Sequence, residues 1–239
     1  MNILVTGGAG FIGSHLSKRL LSEGHTIVVV DNMNEYYDPD LKRARLAEFE
    51  DTITFYKEDI ADSEAMKGIF EKHSFDAICH LAAQAGVRYS LSHPLVYGHS
   101  NYMGTLTLLE AARHHKVKNF IFASSSSVYG ETGRVPFVED DPCDKPVSIY
   151  AASKRAGELL CSSYSELFGI DITALRFFTV YGPWGRPDMA PIIFTEKMMK
   201  GEAIELFNGG DMRRDFTYID DISEGFVLAL EKNKNGFTI

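Results

Sequence analysis

The stretch SIYAASKRAGELL, residues 148–160, sets Tyr150 and Lys154 four positions apart with Ala151 and Ala152 between them. On a helix, residues i and i+4 share a face. A free tyrosine titrates near pH 10, so service as a base near neutrality needs a shift of about 3 units, or about 4 kcal/mol. A unit charge about 4 Å away, at an effective dielectric of about 20, supplies a comparable energy. The spacing therefore predicts a phenol tuned by an ammonium group. The two alanines leave room for a planar group and a sugar to approach. Upstream, FIFASSSSVYG (residues 120–130) offers hydroxyls at what reads as the end of a strand. Such hydroxyls can bond a substrate alcohol and the oxyanion that develops from it.

These groups need a frame. Short apolar runs alternate with amphipathic segments for most of the chain: NILVT, TIVVV, ITFYKED, DAICHLAA, NFIFASS and IDITALRFF read as strands. Helices are predicted near 11–23, 63–72, 94–115 and 148–168, with a polar loop through NMNEYYDPD. This βαβ alternation predicts a doubly wound α/β fold, a Rossmann-type parallel sheet with helices on both faces. After residue 180 the pattern changes to a Pro/Gly-rich loop, VYGPWGRPDMAP, a helix near 190–200, a short strand at AIELF, the loop NGGDMRRD and a helix at 220–232. The expected organisation is a nucleotide domain over 1–180 carrying the Ser/Tyr/Lys groups, and a partial substrate lobe over 181–239. That lobe reads as truncated, since NGFTI has the look of a strand just beginning.

In such a sheet, ligands bind at the carboxyl ends of the strands. LVTGGAGFIGSHL runs from the first strand through Gly7, Gly10 and Gly13 into a helix. The glycines let the backbone approach a pyrophosphate, and the helix start supplies free N–H groups and partial positive charge. The spacing is G-x-x-G-x-x-G, with Phe11 and Ile12 inside the turn. Asp31 closes the second strand 18 residues after Gly13, near the offset of a ribose-binding carboxylate. A carboxylate there accepts bonds from a 2′-hydroxyl and repels a 2′-phosphate. No arginine follows it directly, and Asn32 is its neighbour, so NAD is favoured over NADP. Asp59, followed by Ile60, is a candidate contact for the adenine. A lone Y-x-x-x-K is a frequent accident; the glycine turn, ribose acid, strand-end serines and Y-x-x-x-K in this order are a constellation.

Composition narrows the partners. The net charge of −9 and the lack of a basic run argue against nucleic acid. The chain opens directly on a strand and no apolar run is long enough to span a bilayer, which predicts a cytoplasmic protein without a membrane partner. Cys79, Cys143 and Cys161 are odd in number and far apart, and the eight histidines form no ligand pattern. Reduced core thiols are expected, and no metal.

On these motifs the sequence resembles the extended short-chain dehydrogenase/reductase family, in particular its nucleotide-sugar epimerases and dehydratases, over essentially the whole chain. The resemblance implies Ser125 as catalytic hydroxyl, Tyr150 as base and acid, and Lys154 as tuner of the phenol and holder of the nicotinamide ribose. It also implies that Leu81, Ala82 and Ala83 line the cofactor and that Asn101 supports the active-site backbone. Family dehydratases and UDP-glucuronate decarboxylases carry an acid in the VYG segment, where this chain has Ser126 and Ser127. UDP-galactose 4-epimerases carry an asparagine where it has Thr179. RFFTVYGPWGRPDM and AAQAGVRYS are similar to the UDP-glucuronate 4-epimerases.

That likeness implies transient oxidation of UDP-glucuronate at C4 by resident NAD, then reduction on the other face to UDP-galacturonate. Arg88 and Arg186 are candidates for the anionic sugar and Arg214 for the diphosphate, because arginine matches carboxylate and phosphate geometry. Alternatives are a 4-epimerase of UDP-glucose or a UDP-N-acetylhexosamine, and a non-catalytic NAD-binding protein on the same fold. Family members usually form homodimers through helices matching 94–115 and 148–168, and the product suits polysaccharide synthesis.

Overall fold

In a computed structural model, which describes residues 1–233 and 236–239, the chain runs β1 (Asn2–Thr6), α1 (Phe11–Ser22), β2 (Thr26–Val30), α2 (Pro39–Ala47), β3 (Thr54–Tyr56), α3 (Ser63–Lys72), β4 (Ala77–His80), α4 (Tyr89–Ser92), α5 (Pro94–Tyr97), α6 (Gly104–His114), β5 (Asn119–Ser125), α7 (Ile149–Phe168), β6 (Asp171–Phe177), β7 (Thr179–Tyr181), α8 (Ala190–Lys200), β8 (Phe216–Tyr218), α9 (Ile219–Lys232) and β9 (Phe237–Thr238). Among the described residues, seven strands form one parallel sheet in the order β3-β2-β1-β4-β5-β6-β9, and β7 pairs with β8 in a second sheet. The order reverses at β1, which lies between β2 and β4. That reversal opens a crevice at the carboxyl ends of the strands.

Alternation along each strand feeds two cores. Ile3, Val5, Ile27 and Val29 face one side, with Leu16 and Leu20 of α1 and Phe226 and Leu230 of α9. Leu4, Val28, Ile78 and Phe120 face the other, with Met66 of α3, Leu108 of α6 and Cys161 of α7. Both faces are thus covered, as expected for strands that read as continuous apolar runs. Cys79, Cys143 and Cys161 are buried and unbridged.

Helix α7 carries the Y-x-x-x-K pair, and its placement is well determined. Ser148 caps it by accepting the Ala151 N–H at 3.0 Å, and Gly169 ends it in the left-handed region. Gly157 lies against the Phe122 ring, where an added Cβ would come within 2.4 Å of Cζ. The helix therefore packs close to β5, and Lys154 reaches the sheet.

Several sequence expectations change. The segment after β2 is not all loop: Asp38 caps α2 through the Asp40 N–H, and Pro39 occupies its first position. The expected single helix over 94–115 is interrupted by a π-helical turn at Gly98–Met103. AIELF forms no strand; residues 202–206 have no regular structure. Residues after 180 divide between two places. Phe216–Tyr218 joins the small sheet, whereas α9 returns to α1 and β5, and β9 extends the main sheet, Phe237 opposite Ile172. Ile222, Phe226 and Leu230, spaced four apart and buried, explain that return. Among the described residues no helix is long and apolar enough to cross a membrane.

Candidate active site

One cleft runs along the strand ends from the glycine turn to the start of α7. At one end it is made of backbone. Gly7 has φ +73°, and a Cβ there would sit 2.7 Å from the Ala82 nitrogen; at Gly13 it would sit 2.2 Å from the Gly7 carbonyl oxygen. No Cβ fits at Gly7 or Gly13, so the backbone there and the start of α1 lie close against the cleft, although the N–H groups of Gly7, Ala9 and Gly10 are spent on Val30, Asp31 and Gly7. Gly7, Gly10, Phe11, Ile12 and Gly13 all line the cleft, and so do Leu81, Ala82 and Ala83 beyond β4.

Asp31 is buried at the end of β2. Its carboxylate accepts the Ala9 N–H at 3.2 Å and the Met33 N–H at 2.9 Å, and the Lys42 ammonium lies 3.7 Å away. Asn32 lines the cleft with Asp59 and Ile60, and donates to Asp59 at 3.3 Å. Lys42 comes from α2, with its pKa lowered by burial although Asp31 draws it up. This lysine was not anticipated from sequence.

At the other end stand the groups that the sequence offers for chemistry. Ser125, Tyr150 and Lys154 share the cleft wall with Arg186. Burial pushes the Tyr150 phenol above its ordinary value, while a hydrogen bond with Ser125 and the charge of Arg186 pull it back in part. The Lys154 ammonium instead donates to the Ala123 carbonyl at 2.8 Å. Its own pKa is lowered to about 8 by burial. The expectation from sequence is that Lys154 nearly suffices to tune the phenol and that the positive ring of an oxidised cofactor adds to it. The charge of Arg186 acts on the phenol in the same sense as the Ser125 hydrogen bond, against the effect of burial.

Asn101 lies behind the wall. Its carbonyl oxygen accepts the Gln84 N–H at 2.7 Å, and its amide donates to the Gln84 carbonyl at 3.1 Å and to Ser153 at 2.8 Å. It therefore fastens the strip after β4 to α7. A chain of bonds continues inward: Thr6 to His80 at 2.8 Å, His80 to Thr105 at 2.9 Å, and Thr105 to the Asn101 carbonyl at 2.6 Å. Burial, helped by Lys154, holds the His80 pKa down to about 3, so the ring is neutral. Thr105 spends its proton on Asn101, which leaves Nε2 of His80 as donor and Nδ1 as acceptor from Thr6.

Other candidates lie elsewhere. Ser126 and Ser127 form a short turn after β5, in which Ser125 accepts the Ser127 N–H at 3.2 Å. Thr179 starts β7, and Arg88 is exposed just before α4. Arg214 is exposed and donates to the Arg213 carbonyl at 2.7 Å. None of these five lines the cleft. Asn34, Tyr36, Phe178 and Met189 do, without having been anticipated, as does Gln84 of the stretch LAAQAG that the resemblance placed along the cofactor. For Tyr36 and Lys42 a signal existed, since Asp38-Pro39 is a helix start that would have placed α2 beside the cleft.

The decisive observation is the match of residues 3–238 to the model of the NAD dependent epimerase/dehydratase family. The chain belongs to that family. It is 50% identical over 235 residues to UDP-glucuronate 4-epimerase 3 of Arabidopsis thaliana, covering 96% of this chain but 55% of that relative. It is similar throughout to UDP-glucuronic acid 4-epimerase from Bacillus cereus, solved with UDP-glucuronic acid and NAD (TM-score 0.90, 41% identity, 76% of that chain). It is also similar throughout to UDP-glucose 4-epimerase from Thermotoga maritima, solved with UDP-glucose (TM-score 0.89, 38% identity, 76% of that chain). The chain thus spans about half the length of the plant relative and three quarters of the solved chains. As a family member it is an NAD-dependent epimerase, and the glycine cradle and the Asp31 carboxylate fit that cofactor.

Proposed function

We propose that this chain carries out 4-epimerisation of a UDP-sugar and that UDP-glucuronate is that sugar. The observation that carries the reading is Arg186, a guanidinium in the cleft close enough for its charge to act on the Tyr150 phenol. Arg186 gives one Nε and one Nη2 bond to Asp188, and an anionic sugar presented to Tyr150 meets its remaining N–H groups, which suit a carboxylate. The names of the Arabidopsis and Bacillus cereus relatives support the same choice.

In this reading Tyr150 takes the proton of the C4 hydroxyl and later returns one, with Ser125 bonded to the same oxygen. Bound NAD supplies the reversible oxidation at C4, so the net redox change is zero. Gly7, Gly10 and Gly13 leave space for its pyrophosphate and Asp31 accepts from its ribose. Lys154 holds the nicotinamide ribose from the Ala123 side. Ser126 and Ser127 provide no carboxylate for elimination, which leaves the sugar acid intact. Homodimerisation through α5, α6 and α7 is part of the proposal. Leu95, 87% exposed, and Leu159, 54% exposed, are apolar side chains on those helices that a partner would cover.

The test is product analysis after incubation with UDP-glucuronate. UDP-galacturonate should form without accumulated NADH. A UDP-pentose would show decarboxylation instead. Turnover confined to UDP-glucose or a UDP-N-acetylhexosamine would overturn the choice of substrate.

A further inference from the structure

The segment between β2 and β3 reaches the loop that carries Arg186 at three points. The Tyr36 hydroxyl donates to Asp188 at 2.9 Å. Asp188 in turn accepts two bonds from Arg186, at 2.9 Å from Nε and 2.6 Å from Nη2. Arg45 donates to the Trp184 carbonyl at 3.2 Å from Nε and 2.6 Å from Nη2. Its Nη1 reaches the Tyr37 hydroxyl at 2.7 Å and the Ala9 carbonyl at 3.5 Å. Finally, the Trp184 indole donates to Glu48 at 2.9 Å.

Two features separate this from ordinary loop packing. Arg45 is fully buried, and each of these acceptors is a neutral oxygen. A buried guanidinium needs every donor satisfied, and here the acceptors come from both the glycine turn and the substrate-side loop. It therefore sets the distance between those two pieces. Tyr36, for its part, is wedged under Gly86, where an added Cβ would come within 2.3 Å of the phenol oxygen. Burial, reinforced by Asp188, pushes its pKa up to about 12, so it stays a donor. With Tyr36 fixed from below, Asp188 is fixed, and through it the direction in which Arg186 points.

We propose that Tyr36 and Arg45 are positioning residues for Arg186, holding its guanidinium so that the cleft prefers an acidic sugar to a neutral one. The inference rests on the reading of Arg186 given under Proposed function, and the two fail differently. Affinities of the NAD-loaded protein for UDP-glucuronate and UDP-glucose are to be measured by calorimetry, and the ratio taken. Arg186→Met should lower the acid-to-neutral ratio roughly tenfold or more, the effect expected for loss of a charge-assisted bond. Tyr36→Phe keeps the ring and removes only the donor. It should lower the ratio about three- to tenfold, the acidic sugar losing more affinity than the neutral one. Arg45→Lys should move the ratio in the same direction, which keeps the test open if one variant folds poorly. A merely structural role would weaken both sugars alike and leave the ratio in place. If Arg186→Met lowers the ratio while Tyr36→Phe and Arg45→Lys do not, the positioning role is wrong. If Arg186→Met leaves the ratio unchanged, the reading of the substrate fails first and this inference with it.

Discussion

At the dinucleotide end of the cleft the groups that face a ligand are largely main chain, placed by a run of seven residues from Gly7 to Gly13. At the end with Tyr150 and Arg186 they are side chains whose placement depends on contacts between residues far apart in sequence: Tyr36 meets Asp188 152 positions on, and buried Arg45 meets Trp184 139 positions on. The first kind of site is local and depends on what is missing, namely side chains. The second depends on tertiary contacts that bring a strap, a loop and a helix together. The two ends should therefore fail in different ways: one by obstruction, the other by loss of aim.

The largest effect belongs to the Tyr150 phenol. Tyr150→Phe removes the hydroxyl proposed to exchange a proton with the sugar and touches neither the glycine turn nor Asp31. Turnover should fall by about 10²–10⁴-fold, the usual size of a lost acid–base group, while bound NAD per protein stays constant. Near-normal turnover would dismiss Tyr150 as the base, and loss of NAD would mean the two ends are not separable. Gly13→Ala should act on the opposite side of the comparison. A methyl group 2.2 Å from the Gly7 carbonyl oxygen has no room, and the obstacle is backbone. The cost should lie at the upper end of the about 1–3 kcal/mol typical of overpacking, read as lower Tm together with loss of retained NAD. A variant that keeps its NAD would show that the turn is more pliable than the contact implies.

The same contrast explains what the sequence revealed. The parallel sheet, the turn and the acid at the end of β2 follow from periodicity and spacing, which local sequence records. Tyr150 and Lys154 follow from i, i+4 geometry on α7. The direction of Lys154 did not, because it depends on β5 lying close enough, through Gly157 against Phe122, to offer the Ala123 carbonyl. Spacing placed the ammonium on the phenol's side of the helix; the fold adds a bond from it to the Ala123 carbonyl and brings Arg186, 36 positions after Tyr150, into the same cleft. The return of α9 to the main sheet was likewise hidden, although its four-residue apolar spacing was readable, because nothing local says which surface that stripe meets. Lys42, Tyr36 and Asp188 were missed because their partners are chosen by packing.

The smallest effect tests that placement of Lys154. Burial lowers its pKa from 10.5 to about 8. Between those values the unfolded chain holds a proton that the folded chain has released. Stability therefore rises with pH across this window, and the cost of burying the ammonium is fully present only below it. The contribution should be about 1 kcal/mol between pH 8 and 9, set by the slope of 1.36 kcal/mol per unit. Lys154→Met has no proton to lose, so its stability relative to wild type should decline by that amount over the same interval. Urea denaturation of both proteins at the two pH values reads the difference, and titration of the other lysines, tyrosines and cysteines cancels in it. A parallel dependence in the two proteins would mean that Lys154 titrates as a solvated lysine, its ammonium reached by water and not enclosed between α7 and β5.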